Sequence, residues 1–72
     1  MDWSRIEGNW AHYKLLAHER WNRITTDELD LIGGRREDLA GHIQEVYGIS
    51  QGAAQMQVES WQGRLKDIPE PA

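Results

Sequence analysis

The chain has 72 residues with no cysteine and no phenylalanine, and twelve acidic against eight basic side chains give a net charge of −4 with neutral histidines. A chain of this length buries only about 60% of its unfolded surface, so it makes one small domain of marginal stability. A disulfide framework, a thiolate metal site and a cysteine nucleophile are excluded, and no run approaches the ~18 apolar residues of a membrane span. The opening residues lack the basic-then-apolar layout of a secretion signal. A cytoplasmic chain is the resulting expectation.

Four helices are expected. Trp10, Tyr13, Ala17, Trp21 and Ile24 fall along one helical stripe, widened by Leu16. Asn9 is the expected N-cap of this helix, and Gly8 the turn before it. Trp3 then stands ahead of the first helix.

Thr25 and Glu28 have capping-box spacing, and Asp27 and Glu28 favour the positive end of a helix. Leu29, Leu31 and Ile32 follow. The glycine pair Gly33-Gly34 stops this short helix, because each glycine costs about 1 kcal/mol in a helix interior. Helix resumes over 35–47 with Leu39, Ile43, Val46 and Tyr47 as its stripe. Ala40 and Gly41 beside that stripe leave room for another helix. Gly48 is the expected left-handed C′ residue. Ser50 caps the last helix, where Ala54, Val58, Trp61 and Leu65 share a face and Gly52 falls in the first turn. Gly63 and the end Ile68-Pro69-Glu70-Pro71-Ala72 point to fraying and a disordered tail. The expected division is one helical domain over 1–66 and a tail over 67–72. No alternating β-branched run competes.

The segment Trp21-Asn22-Arg23-Ile24-Thr25 is echoed by Tyr47-Gly48-Ile49-Ser50. Each runs aromatic, turn, Ile, hydroxyl cap. Two helical hairpins packed across each other follow from this echo, so the expected class is all-α, a small four-helix domain. Charge is uneven, with the acidic excess concentrated over 26–48.

Chemistry-bearing patterns are sparse. Trp10, Trp21 and Trp61 lie on apolar stripes, and large rings suit a small core that has no phenylalanine. Trp3 lies off the stripes, which makes it the best-placed ring for an aromatic platform. His12 and His18 lack the spacing of four that a two-histidine helical metal site needs. His42 has Asp38 and Glu45 within a helical turn, as a surface pair. Ser4, Ser50 and Ser60 have no nucleophile-elbow context. Neighbouring acids such as Asp27-Glu28 and Glu37-Asp38 diverge on a helix. No enzyme, metal or cofactor is expected.

Tyr47-Gly48-Ile49-Ser50 with Ala54 faintly matches a helix-hairpin-helix turn, which grips phosphate through backbone amides. Its second glycine is a serine here, and no cation follows until Arg64. Arg20, Arg23, Arg35 and Arg36 make a small patch at most, and DNA affinity rests on cations. The first helix also sets Lys14, Arg20 and Arg23 opposite its rings, a layout that membrane-surface and core-facing helices share. The expected partner is a protein rather than nucleic acid or membrane, and the chain is expected to be monomeric.

Three segments carry a family resemblance: Gly8-Asn9-Trp10, Trp21-Asn22-Arg23-Ile24-Thr25-Thr26-Asp27-Glu28, and Gly34 through Gly48 with its Gly41-His42-Ile43-Gln44-Glu45-Val46-Tyr47-Gly48 core. Over roughly 6–62 the chain resembles the CsbD-like bacterial stress proteins. Many members have Lys-rich first helices with an internal Gly, where this chain has Tyr13-Lys14-Leu15-Leu16-Ala17-His18, and Ile24 replaces the usual Leu. The resemblance implies an all-α fold of short helices in two crossed hairpins, similar to the SAM-like arrangement. It also implies a role in general stress response, with no established biochemical activity and no catalytic residues to carry over. The expectation is a non-enzymatic stress-response protein that binds or protects another macromolecule, with weak nucleic-acid binding through the hairpin turns as the alternative.

Overall fold

The computed structural model describes residues 2–65. The described regular structure is entirely helical: α1 Trp3–Gly8, α2 Trp10–Arg20, α3 Thr26–Ile32, α4 Arg36–Tyr47 and α5 Gln51–Arg64. The expected tail over 67–72 lies outside the described residues.

Four of these helices match the periodicity, and α1 is additional. Asp2 starts it, its carboxylate accepting from the Ser4 amide at 3.4 Å and its carbonyl from the Arg5 amide at 3.1 Å. Gly8 is the last residue of this helix rather than a turn. Asn9 is the N-cap position of α2, as expected, and its carbonyl accepts from the His12 and Tyr13 amides, but its side chain makes no capping bond to α2. That side chain closes α1 instead: Nδ2 donates to the Arg5 carbonyl at 2.8 Å, and the backbone N–H reaches the Arg5 and Ile6 carbonyls.

The other boundaries follow the capping chemistry. Thr25 Oγ1 accepts from the Glu28 amide at 3.1 Å, and Ser50 Oγ accepts from the Ala53 amide at 3.1 Å. These bonds satisfy amides that have no partner within their own helix. Gly33 ends α3 at φ 61° and Gly48 ends α4 at φ 63°. Beyond Gly48, the Ile49 amide returns to the Gln44 carbonyl at 3.2 Å, the six-to-one bond of a Schellman ending. Gly63 lies inside α5, which continues to Arg64 instead of fraying there.

Helix α2 packs on α3, and α4 on α5. The core unites Ile6, Tyr13, Ala17, Trp21, Ile24, Leu29, Ile32, Leu39, Ile43, Ala54 and Val58, all almost fully enclosed, with Trp10, Ala40 and Trp61 at its edge. Tyr47 and Val46 are half-buried against it. Leu31, grouped by sequence with Leu29 and Ile32, is instead 73% exposed, because it falls on the opposite side of a short helix. Leu15 and Met56 are exposed as well, on α2 and α5.

Three indole N–H groups tie these elements together. Trp10 Nε1 donates to the Leu29 carbonyl at 2.8 Å, linking α2 to α3. Trp21 Nε1 donates to Gln57 Oε1 at 2.9 Å, linking the end of α2 to α5. Trp3 Nε1 donates to the Gly34 carbonyl at 2.8 Å, linking α1 to the α3–α4 turn. Buried indoles need such partners, since an unmade hydrogen bond would cost more than the ring's burial geometry allows for free. The two echoed turns also meet: the Arg23 amide donates to the Tyr47 hydroxyl at 3.2 Å, and the Arg23 guanidinium lies 5.8 Å from that ring's centre.

Candidate functional site

Most chemistry-bearing side chains are held by the fold itself. His18 Nδ1 donates to the Ile24 carbonyl at 2.9 Å. His42 Nδ1 donates to the Asp38 carbonyl at 2.9 Å, not to its carboxylate, which pairs with Arg35. His12 sets its ring edge-on against Tyr13, 5.0 Å between centres. Among the described residues no three His, Asp or Glu side chains converge as a metal site would require.

The tryptophans form a row rather than a platform. Trp21 and Trp61 meet edge-to-face with centres 5.3 Å apart, and Trp3 meets Trp61 in the same way at 6.1 Å. Trp3, expected as the ring most available to a ligand, is half-buried, with its N–H committed to Gly34. The apolar face of α2 is turned into the core through Trp10, Tyr13 and Ala17, so those rings are not presented to a membrane surface. No helix among the described residues is long and apolar enough to cross a membrane.

Several cations are likewise engaged. Lys14 Nζ pairs with Asp30 at 2.7 Å. Arg35 pairs with Asp38 and donates through Nη2 to the Leu31 carbonyl at 2.7 Å. It thus sets a positive charge at the carbonyl end of α3 and binds a carboxylate at the amide end of α4, both favoured by the helix dipoles. Arg20 lies over Trp21 at 5.2 Å. In the Tyr47–Ser50 turn the Gly48 and Ile49 amides both point back to the Gln44 carbonyl. The amides that a phosphate-gripping hairpin would offer are therefore in use.

Among the described residues, an open feature is a cleft of about 270 Å³ between α4 and α5, lined by Glu37, Ala40, Gly41, Gln44, Gln51 and Gln55. On α4, the residues 37, 40, 41 and 44 make one stripe of neighbouring positions, and on α5 the residues 51 and 55 are one turn apart. Arg36 extends this surface alongside Glu37, Ala40 and Gln55. Gly41 is exposed, and a β-carbon placed on it would meet nothing within 4 Å. Of the pair expected to admit a close helix approach, Ala40 is buried in the core and Gly41 has no neighbour at contact distance. Gly41 instead leaves the floor of the cleft bare. The cleft presents carboxamides, each able both to donate and to accept, beside one carboxylate. Sequence reading missed it, although the small pair at 40–41 with glutamines at 44, 51 and 55 is visible once α4 and α5 are known to pair.

No family model matches the chain, and no solved structure matches it. Curated relatives do. The chain is 44% identical over 66 residues to a UPF0337 protein of Rhodopseudomonas palustris, covering 92% of this chain and 100% of that one. It is 39% identical over 66 residues to a UPF0337 protein of Pectobacterium atrosepticum, covering 92% and 96%. It is 39% identical over 57 residues to the UPF0337 protein YjbJ of Escherichia coli K12, covering 79% and 83%. With about two residues in five identical over nearly the whole length of both partners, the chain belongs to the bacterial UPF0337 family, which is the CsbD-like family.

Proposed function

We propose that this chain is a non-enzymatic, cytoplasmic protein of the bacterial stress response that acts as a monomer by binding another protein through the α4–α5 cleft. The observation that carries this reading is the composition of the cleft. Its walls are Gln44, Gln51 and Gln55 with Glu37, and its floor is Ala40 and the bare Gly41. Carboxamides match the donors and acceptors of peptide groups and polar side chains, and a lining kept small at Ala40 and Gly41 admits a polypeptide closely.

Nucleic acid, held through the hairpin turns, is the weaker reading. Phosphate binding requires cations, whereas Arg23 and Arg20 lie on aromatic rings and Lys14 and Arg35 are ion-paired. The stress association rests on the CsbD-like resemblance. The same reading keeps the two helical pairs in the crossed, SAM-like arrangement.

The test is crosslinked purification of the tagged full chain from stressed and unstressed cells, with protein and nucleic acid both identified. A protein recovered in near-stoichiometric yield under stress supports the proposal. Nucleic acid recovered in its place, released between low and high salt, overturns the choice of partner. Empty recovery in both conditions overturns the binding role.

A further inference from the structure

We infer that α1 is a strap over the aromatic row: it opens about Asn9 as a unit while α2–α5 stay folded. Four observations carry this. First, α1 has six residues, far fewer than the roughly 12–15 that an isolated helix needs for even marginal stability. Its helicity therefore depends on docking. Second, the chain leaves helical geometry at Asn9, with φ −123° and ψ 36° between two helices. That residue is exposed and ends one helix without side-chain capping of the next. A rotation about its N–Cα bond leaves its carbonyl in place on the His12 and Tyr13 amides of α2.

Third, docking contacts of α1 lie at identifiable places. Ile6 is the one residue of α1 that is fully enclosed. Trp3 is half-buried, with its edge on Trp61 and its N–H on the Gly34 carbonyl. Fourth, the seat is shaped for this helix. Gly34 has φ 83°, and a β-carbon there would stand 2.9 Å from Glu7 Cα and 3.3 Å from Glu7 Cγ. The backbone of α1 rests against the α3–α4 turn where a side chain has been left out.

Most of the core comes from outside the strap. Trp10, Tyr13, Trp21, Leu29, Leu39, Ile43, Val58 and Trp61 come from all four other helices, and the Trp10 and Trp21 hydrogen bonds join them without α1. Elements with few buried contacts open below the free energy of global unfolding. Opening α1 withdraws Ile6 and Trp3 and bares the edge of Trp61. The closed strap thus hides an aromatic surface.

Hydrogen exchange of the full wild-type chain tests this directly, read at the amides of Ile6 and Asn9 against those of Ile43 and Val58. We expect the α1 amides to exchange at least tenfold faster, Ile6 and Asn9 sharing one shallow denaturant dependence set by the small surface the strap exposes, while those of α4 and α5 show a steeper one. Equal protection and equal denaturant dependence in all four would overturn the strap. A second arm uses Ile6→Ala. The expected result is near-complete loss of α1 protection with a cooperative thermal transition retained. Loss of that transition, with α4 and α5 amides unprotected, would show that α1 is integral to the core and overturn the proposal.

Discussion

At the scale of single residues, the tryptophans serve as both volume and fastener. Trp21 is fully enclosed and its N–H is satisfied by Gln57. Trp21→Phe removes ring volume and leaves the Gln57 carboxamide without its donor. A lost partner of this kind costs about 1–3 kcal/mol, so the melting temperature is expected to fall by roughly 4 °C or more per kcal/mol in a domain this small. Adding Gln57→Leu should recover part of the loss, because both polar groups are then gone. An unrecovered double variant would show that the hydrogen bond is not what the substitution removed. The glycines divide just as clearly. Gly48 is left-handed with open space around it, so Gly48→Ala should cost only the backbone strain of about 1 kcal/mol. An unchanged thermal midpoint would count against that assignment. The stripe tryptophans were legible in the sequence because their partners repeat at helical spacing. Trp3 was not, because its partners Gly34 and Trp61 are brought to it only by the fold.

At the scale of elements, boundaries were legible wherever a side chain or a glycine performs the capping. Thr25, Ser50, Gly33 and Gly48 sit where expected. Ser50→Ala removes the bond to the Ala53 amide and should destabilise by about 1 kcal/mol, with Ser50→Asp retaining most of the stability. Equal melting of all three chains would remove the cap from the account. Helix α1 was not legible for a physical reason: six residues with one fully enclosed side chain have no period to detect. Asn9 was legible as the N-cap of α2, but not as the residue whose amide and carboxamide close the helix before it.

At the scale of the whole molecule, the class of fold was readable because periodicity and capping agree along most of the chain. The cleft was not, since it depends on which faces of α4 and α5 remain uncovered after they pair. Under the proposed binding role, Gly41 joins stability to function there. A helix-interior glycine costs about 1 kcal/mol relative to alanine, and space for a side chain is present. Gly41→Gln should therefore melt higher than the wild type while weakening partner capture under stress. A variant that melts higher and captures as well as the wild type would separate the glycine from binding. The most direct measurement is photo-crosslinking in stressed cells, with the photoreactive residue at Gln55 in the cleft or at exposed Glu19 on α2, which does not line it. The account predicts a discrete protein adduct from position 55 and none from position 19. Adducts of equal yield and identity from both positions, or an adduct from 19 alone, would contradict the assignment of the α4–α5 cleft as the binding face.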